Sequence, residues 1–509
     1  MRGHSGLYSG WRRERFGPFA GLSGWQAAGL AVAWLPPLAA VGRSHWTGAA
    51  QLGTASLVLT ALVVVPVRRR PAARWLLDGL LFATGRALGW SAFRPRVATG
   101  AGTTARLDEP DLPGIAAVLR FHDGPPPPLP GGGPVAVIQD PNAGRWSATA
   151  AVTHPGLGNA DTETREGWAA QLGGLLAAAA ATEEVCRVSV QIRTVPDDGA
   201  QRAAWVADRR RGDAPPAVVA ATDQLETLMR STAVRHELFV TVGVTESRIR
   251  RAAKDAGGGV TGRARILYRH LAEVEAQLRG LGATGVSWLS TPDLAAAIRT
   301  GYNPADAVPL QRARQEHARG AATVLGPPLA AAGPSGAPPP APRAYTHDGF
   351  TSVSYALLLP ELPTRVGALT RLLAVARAGE RRTLTLHYEP ISAGRAGRQV
   401  EHDLWAAEIA ADVRTKRGFR VGRRERRLAA ETAAHEQQLA AGHTMVRLAG
   451  VAAVTVPSGW DVEDHAAALE AAARACGYGL LRLDLAQDAG FVAGALPLGV
   501  GLPGRDTRC

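Results

Sequence analysis

Phosphate chemistry leaves a recognisable trace in a sequence, and here the trace is missing. A nucleotide-hydrolysing loop needs Gly-rich backbone amides and a lysine on the phosphates, in the form GxxxxGK[ST]. The chain has two lysines, Lys254 and Lys416, and they follow Ala253 and Thr415 rather than a glycine. The stretch GGGVTG at 257–262 fits GxGxxG ahead of a helical pattern. However, RIRRAAKDA precedes it where a dinucleotide site would have a strand, so it reads as a loop entering a helix. His435 and His443 lie eight residues apart, with Glu431 and Glu436 beside the first. No cysteine pair joins them and HExxH is absent, which argues against zinc. Cys186, Cys476 and Cys509 are too scattered for a disulfide framework. No GxSxG supplies a nucleophile elbow, and His387 before Tyr388, Glu389 and Pro390 fits a strand better than a general base. The expectation is no catalytic residue, no cofactor and no metal ligand.

The residues that could bind something are arginines. The run VRTKRGFRVGRRERR at 413–427 carries Arg414, Arg417, Arg420, Arg423, Arg424, Arg426 and Arg427 with Lys416, against Glu425 alone. Such a run suits a solvated helix face, anionic lipid headgroups or an acidic partner. Phe419 is its one aromatic residue, which argues against a stacking platform for nucleic acid. The formal net charge of the 509 residues is +13, but residues 1–100 hold twelve arginines against Glu14 and Asp78. The excess is a property of the N-terminus, not a nucleic-acid-binding surface spread over the chain.

That N-terminus reads as a membrane anchor. Residues 20–42 contain no charged side chain, and a second uncharged run follows Arg43 from Ser44 to Val67. Each has the length of a bilayer crossing, about 20 residues. Arg2, Arg12, Arg13 and Arg15 precede the pair; Arg68, Arg69, Arg70 and Arg74 follow it. The positive-inside rule then places both termini in the cytoplasm, with Arg68–Arg70 fixing the topology. A signal peptide is disfavoured, because a second apolar run comes directly after the first. Residues 71–96 read as an amphipathic juxtamembrane helix with Trp75, Leu77, Leu80, Leu81, Leu88 and Trp90 among Arg74, Asp78 and Arg86. It could lie on the inner membrane face or pack on the following domain.

Apolar residues make up 46% of the chain and charged residues 20%, which excludes a disordered chain and a polytopic transporter. HDGPPPPLPGGGP at 122–134 marks a loop, and GPPLAAAGPSGAPPPAPR at 326–343 a linker between two domains, 97–325 and 344–509. In the first, VAVIQD and RWSATAAVTH flank a turn, 162–181 is helical, and CRVSVQIRTV and HELFVTVGV alternate as strands. A helix at 262–281 and a strand at Gly285–Leu289 complete it. The second repeats this order: strand FTSVSYALLL, helix 363–378, strand RTLTLHYEPI, a charged helical insertion at 400–440, a strand or hairpin TMVRLAGVAAVTVP, helix 460–476 and strand GLLRLDL. The expected fold is α+β: a two-helix transmembrane hairpin carrying two cytoplasmic α/β domains of ferredoxin-like, split βαβ type.

The hairpin, its arginine-rich exit and the segments VAVIQDPNAGRWSATAAV, GWAAQLGGLL, HYEPI, AGHTMVRLAGVAAVTV and GALPLGVGL resemble an actinobacterial integral-membrane family of conjugation-like secretion clusters. RHELFVTVGV with RILYRHLAEVEAQLRGLGATGVSWLSTPDLAAAI is similar to the EccE-type component of type VII secretion. The pattern also resembles the non-catalytic N-terminal region of type IV secretion ATPases, without an ATPase domain. The resemblance implies a non-enzymatic inner-membrane component that docks a secretion ATPase and other membrane subunits of one apparatus. The 413–427 arginines and anionic lipid would supply contacts. The alternatives are a membrane-tethered enzyme with an unrecognised site, or a DNA-handling protein of a conjugative element.

Overall fold

The computed structural model describes residues 7–8, 24–64, 66–67, 70–89, 91–99, 109–127, 133–158, 160–196, 200–230, 234–320, 326–360, 364–375, 377, 379–398, 437 and 443–502. Arg68, Arg69, Arg414, Arg417, Arg420, Arg423, Arg424, Arg426 and Arg427 lie outside the described residues. So do His435, Cys509 and the expected 400–440 helix apart from Gln437. Two units can be described.

The first unit contains α1 (Gly24–Gly42), α2 (Trp46–Val64) and α3 (Ala72–Ala87). Pro36 and Pro37 sit inside α1. Proline has no N–H to give to the carbonyl four residues back, so Pro37 leaves the Ala33 carbonyl open. The Ser56 hydroxyl of α2 donates to that carbonyl at 2.7 Å. One turn further along, the Trp34 indole donates to Thr60 Oγ1 at 3.0 Å. Among the described residues one helix, Trp46–Val64, is long and apolar enough to cross a membrane, with mean hydropathy 1.5. The first helix contributes a shorter apolar stretch, Gly29–Gly42. The two runs are therefore not equivalent: α1 draws on Gly, Ala and Pro, whereas α2 ends in the aliphatic series Leu57, Val58, Leu59. Beyond α2, Pro66–Val67 and Arg70–Pro71 pair as a short antiparallel hairpin, with Arg70 opposite Val67.

The second unit comprises Met1–Gly10, Ala92–Val400 and Ala433–Cys509. Its strands β1 (Arg120–Asp123), β2 (Ala136–Asp140) and β3 (Arg145–Thr153) lead into α4 (Thr162–Thr182) and β4 (Val185–Pro196). Then come α5 (Ala200–Arg209), α6 (Pro216–Arg230), β5 (Val234–Thr245), α7 (Glu246–Asp255), α8 (Gly259–Gly280), β6 (Gly285–Trp288), α9 (Thr291–Tyr302) and α10 (Ala307–Ala318). The remainder is β7 (Tyr345–His347), β8 (Phe350–Leu358), β9 (Arg381–Ile391), β10 (Met445–Pro457), α11 (Val462–Ala475), β11 (Gly479–Arg482) and α12 (Gln487–Ala495).

These eleven strands form one antiparallel sheet, and among the described residues Leu7–Tyr8 and Thr364–Arg365 pair apart from it. In the segment from β3 to β6 the strand order is β6-β3-β5-β4, and from β8 to β11 it is β11-β8-β10-β9. Numbered within each half, both read fourth, first, third, second. Both halves are also preceded by a hairpin strand, β2 on β3 and β7 on β8. The halves join where their second strands pair antiparallel, with Arg193 opposite Thr383 and Val188 opposite Tyr388.

This continuity corrects the expected linker. Residues 326–343 do not separate two bodies: Leu329, Ala330, Ala332 and Ala337 are buried, and Ala337 exchanges backbone hydrogen bonds with Phe93. Their small side chains let an irregular backbone pack closely where composition alone read as a spacer. The expected helix at 363–378 is also different. Its described part is a 3₁₀ segment, Ala368–Leu373, that starts after Gly367 at φ 82 and buries Leu372 and Leu373. Among the described residues, the other expected strands and helices of this unit form close to the expected places. Caps fix several starts: Asp161 accepts from the Thr164 amide at 2.7 Å, and Asp461 from the Glu463 amide at 2.9 Å.

Strand alternation sorts the side chains onto two faces. On one, Val188, Val190, Val240 and Val242 pack beneath α4 and α8, with Leu175, Leu176, Leu267 and Leu271. Val353, Tyr355 and Val454 pack beneath α11, with Leu469. The GxGxxG match belongs to this layer. Gly257, Gly258 and Gly259 turn the chain from α7 into α8 at positive φ. A Cβ at Gly262 would lie 2.0 Å from the Ala253 carbonyl oxygen. These glycines serve a helix–helix joint.

Candidate functional site

The other sheet face is polar, yet it too is buried. From β4 come Arg187, Ser189, Gln191 and Arg193; from β9 come Arg381, Thr383, Thr385 and His387; all are at most 7% exposed. Buried polar groups generally find partners, and most of these donate to backbone carbonyls, although Thr383 Oγ1 makes no hydrogen bond. Two groups of carbonyls receive them.

The first group is the C-terminus of α9, where the last carbonyls have no helical partner. Arg193 donates to the Ala297 carbonyl at 2.9 Å and to Thr300 Oγ1 at 2.6 Å. Arg381 donates to the carbonyls of Thr300 and Gly301. His347 Nδ1 donates to the Tyr302 carbonyl at 2.6 Å, while its Nε2 accepts from Ser352 at 2.8 Å. Placing guanidinium groups here also suits the negative end of the helix dipole. Burial and the neighbouring Arg193 lower the Arg381 pKa to about 9. Burial opposes ionisation of Glu237, but Arg193 and Arg235 outweigh it and hold that carboxyl below its ordinary value.

The second group is α12 and the residues after it, which lie across the junction of the two halves. Gln191 from β4 and Thr385 from β9 both donate to the Gly494 carbonyl, at 2.8 and 2.7 Å. Thr149 donates to the Pro497 carbonyl at 2.8 Å, and Arg187 to the Gly499 carbonyl at 3.1 Å. The segment lies close against the sheet. A Cβ at Gly494 would fall 2.7 Å from Val451 Cγ1, and one at Gly499, where φ is +65, 2.8 Å from Thr241 Cγ2.

The pair that most resembles catalytic machinery lies under this segment. Ser189 Oγ donates to His387 Nδ1 at 2.8 Å, and His387 Nε2 faces the Ala493 carbonyl at 3.3 Å. Burial, with Arg187 and Arg145 nearby, lowers the imidazole pKa to about 3. A base that weak does not activate a hydroxyl near neutrality, and both residues are at most 4% exposed. The arrangement locks the junction.

A cleft of about 210 Å³ opens at one end of the junction. Its lining includes Cys186, Glu183, Arg248, Glu389 and Arg447. Four of its charged groups are paired, Arg248 with Glu183 at 3.0 Å and Glu389 with Arg447 at 3.5 Å, and Glu389 also meets Arg187 at 2.5 Å; Arg395 lines the cleft as well.

A comparison with models of known protein families gives no match, and a comparison with curated proteins gives none either.

Of the site residues expected from sequence, Arg70 falls in the short hairpin after α2, and the other nine lie outside the described residues. The sequence reading overlooked the buried junction. Its signal was the polar alternation of Arg187, Ser189, Gln191 and Arg193, and of Arg381, Thr383, Thr385 and His387, in strands that looked half-solvated. Two such strands facing each other, with a Gly-rich GALPLGVGL segment to cover them, would have identified it.

Proposed function

We propose that the chain is a non-enzymatic membrane-anchored scaffold of a secretion or conjugation apparatus, of type VII EccE-like or type IV-like kind, which docks an ATPase and neighbouring membrane subunits. The observation that carries this reading is α2. It is a 19-residue apolar helix of which 11% is buried, with Leu57, Val58 and Leu59 exposed. Such a surface is stable in lipid and a liability in water. The reading makes α1 and α2 a two-pass hairpin in the inner membrane, with both termini cytoplasmic. The hydrogen bond that relieves Pro37 supports it, because an open carbonyl is costly where no water reaches.

The shared strand order supports assigning both halves of the sheet to the ferredoxin-like type. The sequence resemblance supports the secretion context. A tethered platform raises the local concentration of its partners, so weak contacts add into firm assembly. The arginines at 414–427 remain the contact we assign to an acidic partner or anionic headgroups.

Carbonate extraction of membranes and labelling of Cys509 in intact cells test the anchor. Retention in the pellet, with Cys509 shielded from an impermeant maleimide, is expected. Release by carbonate, or labelling from outside, overturns it. Charge reversal at Arg423, Arg424, Arg426 and Arg427 is expected to reduce co-purification of the ATPase from crosslinked membranes; unchanged recovery removes that patch from the reading.

A further inference from the structure

The membrane reading of α1 and α2 leaves α3 unexplained. Leu76, Leu77, Leu80 and Leu81, with Leu88 just beyond the helix, are 62%, 55%, 63%, 55% and 71% exposed. At 100° per residue these positions fall on one contiguous stripe. The opposite side is occupied: Trp75, Asp78, Gly79 and Phe82 are half-buried, and Gly85 is buried. The helix also packs against α2. A helix that rests on a membrane span through one side and presents leucines on the other has only lipid, or another protein, to cover them.

The charge around it decides between these. In sequence, Arg68, Arg69 and Arg70 precede α3 and Arg74 and Arg86 fall within it, while Asp78 is the one acidic residue in 65–90. Positive charge beside an apolar stripe is complementary to an anionic bilayer surface, where the leucines enter the acyl boundary and the arginines stay among the headgroups. The exposed apolar surface is also continuous in chain with that of α2, separated from it by the hairpin Pro66–Pro71 alone.

We infer that α3 is a third membrane element, an interfacial helix seated by its leucine stripe in the anionic inner leaflet. This rests on the membrane reading of α2 and goes beyond it, since a two-pass hairpin alone would leave α3 in water or against protein.

The test uses the full chain in vesicles of phosphatidylcholine and phosphatidylglycerol. Single cysteines replace Leu76, Leu77, Leu80, Leu81 or Arg86 in a background where the native cysteines are serine, and each carries a nitroxide. Collision with oxygen, which concentrates in lipid, is compared with collision with a water-soluble nickel complex. At the four leucine positions oxygen is expected to dominate, and at Arg86 the nickel complex. Leu57→Cys in α2 reports the anchor separately. Nickel access at all four leucine positions, with Leu57→Cys still oxygen-accessible, overturns the inference and leaves the anchor standing. Low access to both reagents at the leucines means that protein covers the stripe, and this also overturns it. Nickel access at Leu57→Cys removes the anchor itself.

Discussion

The Ser56 hydroxyl donates to the Ala33 carbonyl across 2.7 Å, from one apolar helix to the other. The acceptor is available because Pro37 stands four residues later and brings no N–H. Two sequence features that look unrelated, a proline pair in a weakly apolar run and a serine in a strongly apolar one, are halves of one device. It lets α1 tolerate proline and fixes its register against α2.

Ser56→Ala is therefore expected to destabilise the helix pair by about 1 kcal/mol, the usual net scale for an intramolecular hydrogen bond. Pro37→Ala returns an N–H to the Ala33 carbonyl. In that background Ser56→Ala should cost less than half as much. Reversible unfolding of the full chain in mixed micelles, run as a double-mutant cycle, measures the coupling. Equal costs in the two backgrounds would show that the serine acts through something other than the freed carbonyl.

The residues at 494 and 499 are expected to tolerate nothing larger than glycine. Gly499→Ala combines a positive φ of 65 with a Cβ 2.8 Å from Thr241 Cγ2, and Gly494→Ala meets Val451 Cγ1 at 2.7 Å. Each should cost roughly 1–3 kcal/mol, Gly494→Ala through overpacking alone and Gly499→Ala through overpacking and backbone strain. Ala at Gly477, where φ is +79 but nothing lies within 4 Å, is the comparison: it carries the strain alone and should cost about 1 kcal/mol. Denaturant midpoints of the three variants rank them, and a Gly477→Ala loss equal to the other two would remove close packing as the cause.

Much of this architecture was legible because it is local. The turn between Asp140 and Arg145, the alternation of Val234–Thr245 and the periodicity of Gly259–Gly280 each announce one element within a short window. The order strand, helix, strand was readable for the same reason in β3, α4 and β4 and in β10, α11 and β11, but not between β8 and β9. The junction of β4 with β9 was not, because Arg193 and Thr383 meet across 190 residues and neither segment encodes its partner. Nor did alternation reveal that the polar face of these strands is covered, since a polar face beneath a carbonyl-lined segment and a polar face in water share one pattern. The linker misled for the opposite reason: Pro and Gly composition reports the absence of regular structure, and Leu329 and Ala332 show that irregular chain can still be core. The arginine-rich 413–427 candidates lie outside the described residues, so the strongest charge signal in the sequence stays a proposal.

His387 gives the stability a pH dependence of defined sign. Its ordinary pKa is 6.5 and its folded value about 3, because burial and nearby arginines disfavour the charged ring. His347 is lowered to about 3 in the same way. Between these values the unfolded chain binds protons that the folded chain does not. Stability is then complete above about pH 6.5 and falls as the medium is acidified towards pH 3. Each histidine contributes up to about 1.4 kcal/mol per pH unit across that window. His387→Gln, which can still meet Ser189 and the Ala493 carbonyl, should flatten the slope measured between pH 6 and 5, above the range where carboxylates titrate. An unchanged slope would mean that His387 is protonated in the folded protein.

Glu237, whose side chain is 21% exposed, answers for two guanidinium groups. It accepts from Arg193 at 2.6 Å and from Arg235 at 2.9 Å, and it is the carboxylate whose field reaches Arg381. Arg193 and Arg381 are 1% and 0% exposed, so neither can turn to water if the acid is lost. Glu237→Gln keeps the shape and removes the charge, which leaves buried cations uncompensated at the end of α9. Breaking a buried pair on one side costs about 3–5 kcal/mol, enough to remove a large share of a domain's stability. Replacing Arg193 by Met as well relieves the imbalance, so Glu237→Gln with Arg193→Met should unfold at higher denaturant than Glu237→Gln alone. If adding Arg193→Met lowers the midpoint further, the two guanidinium bonds to α9 outweigh the charge imbalance, and the cluster is held by hydrogen bonding to the helix end rather than by its carboxylate.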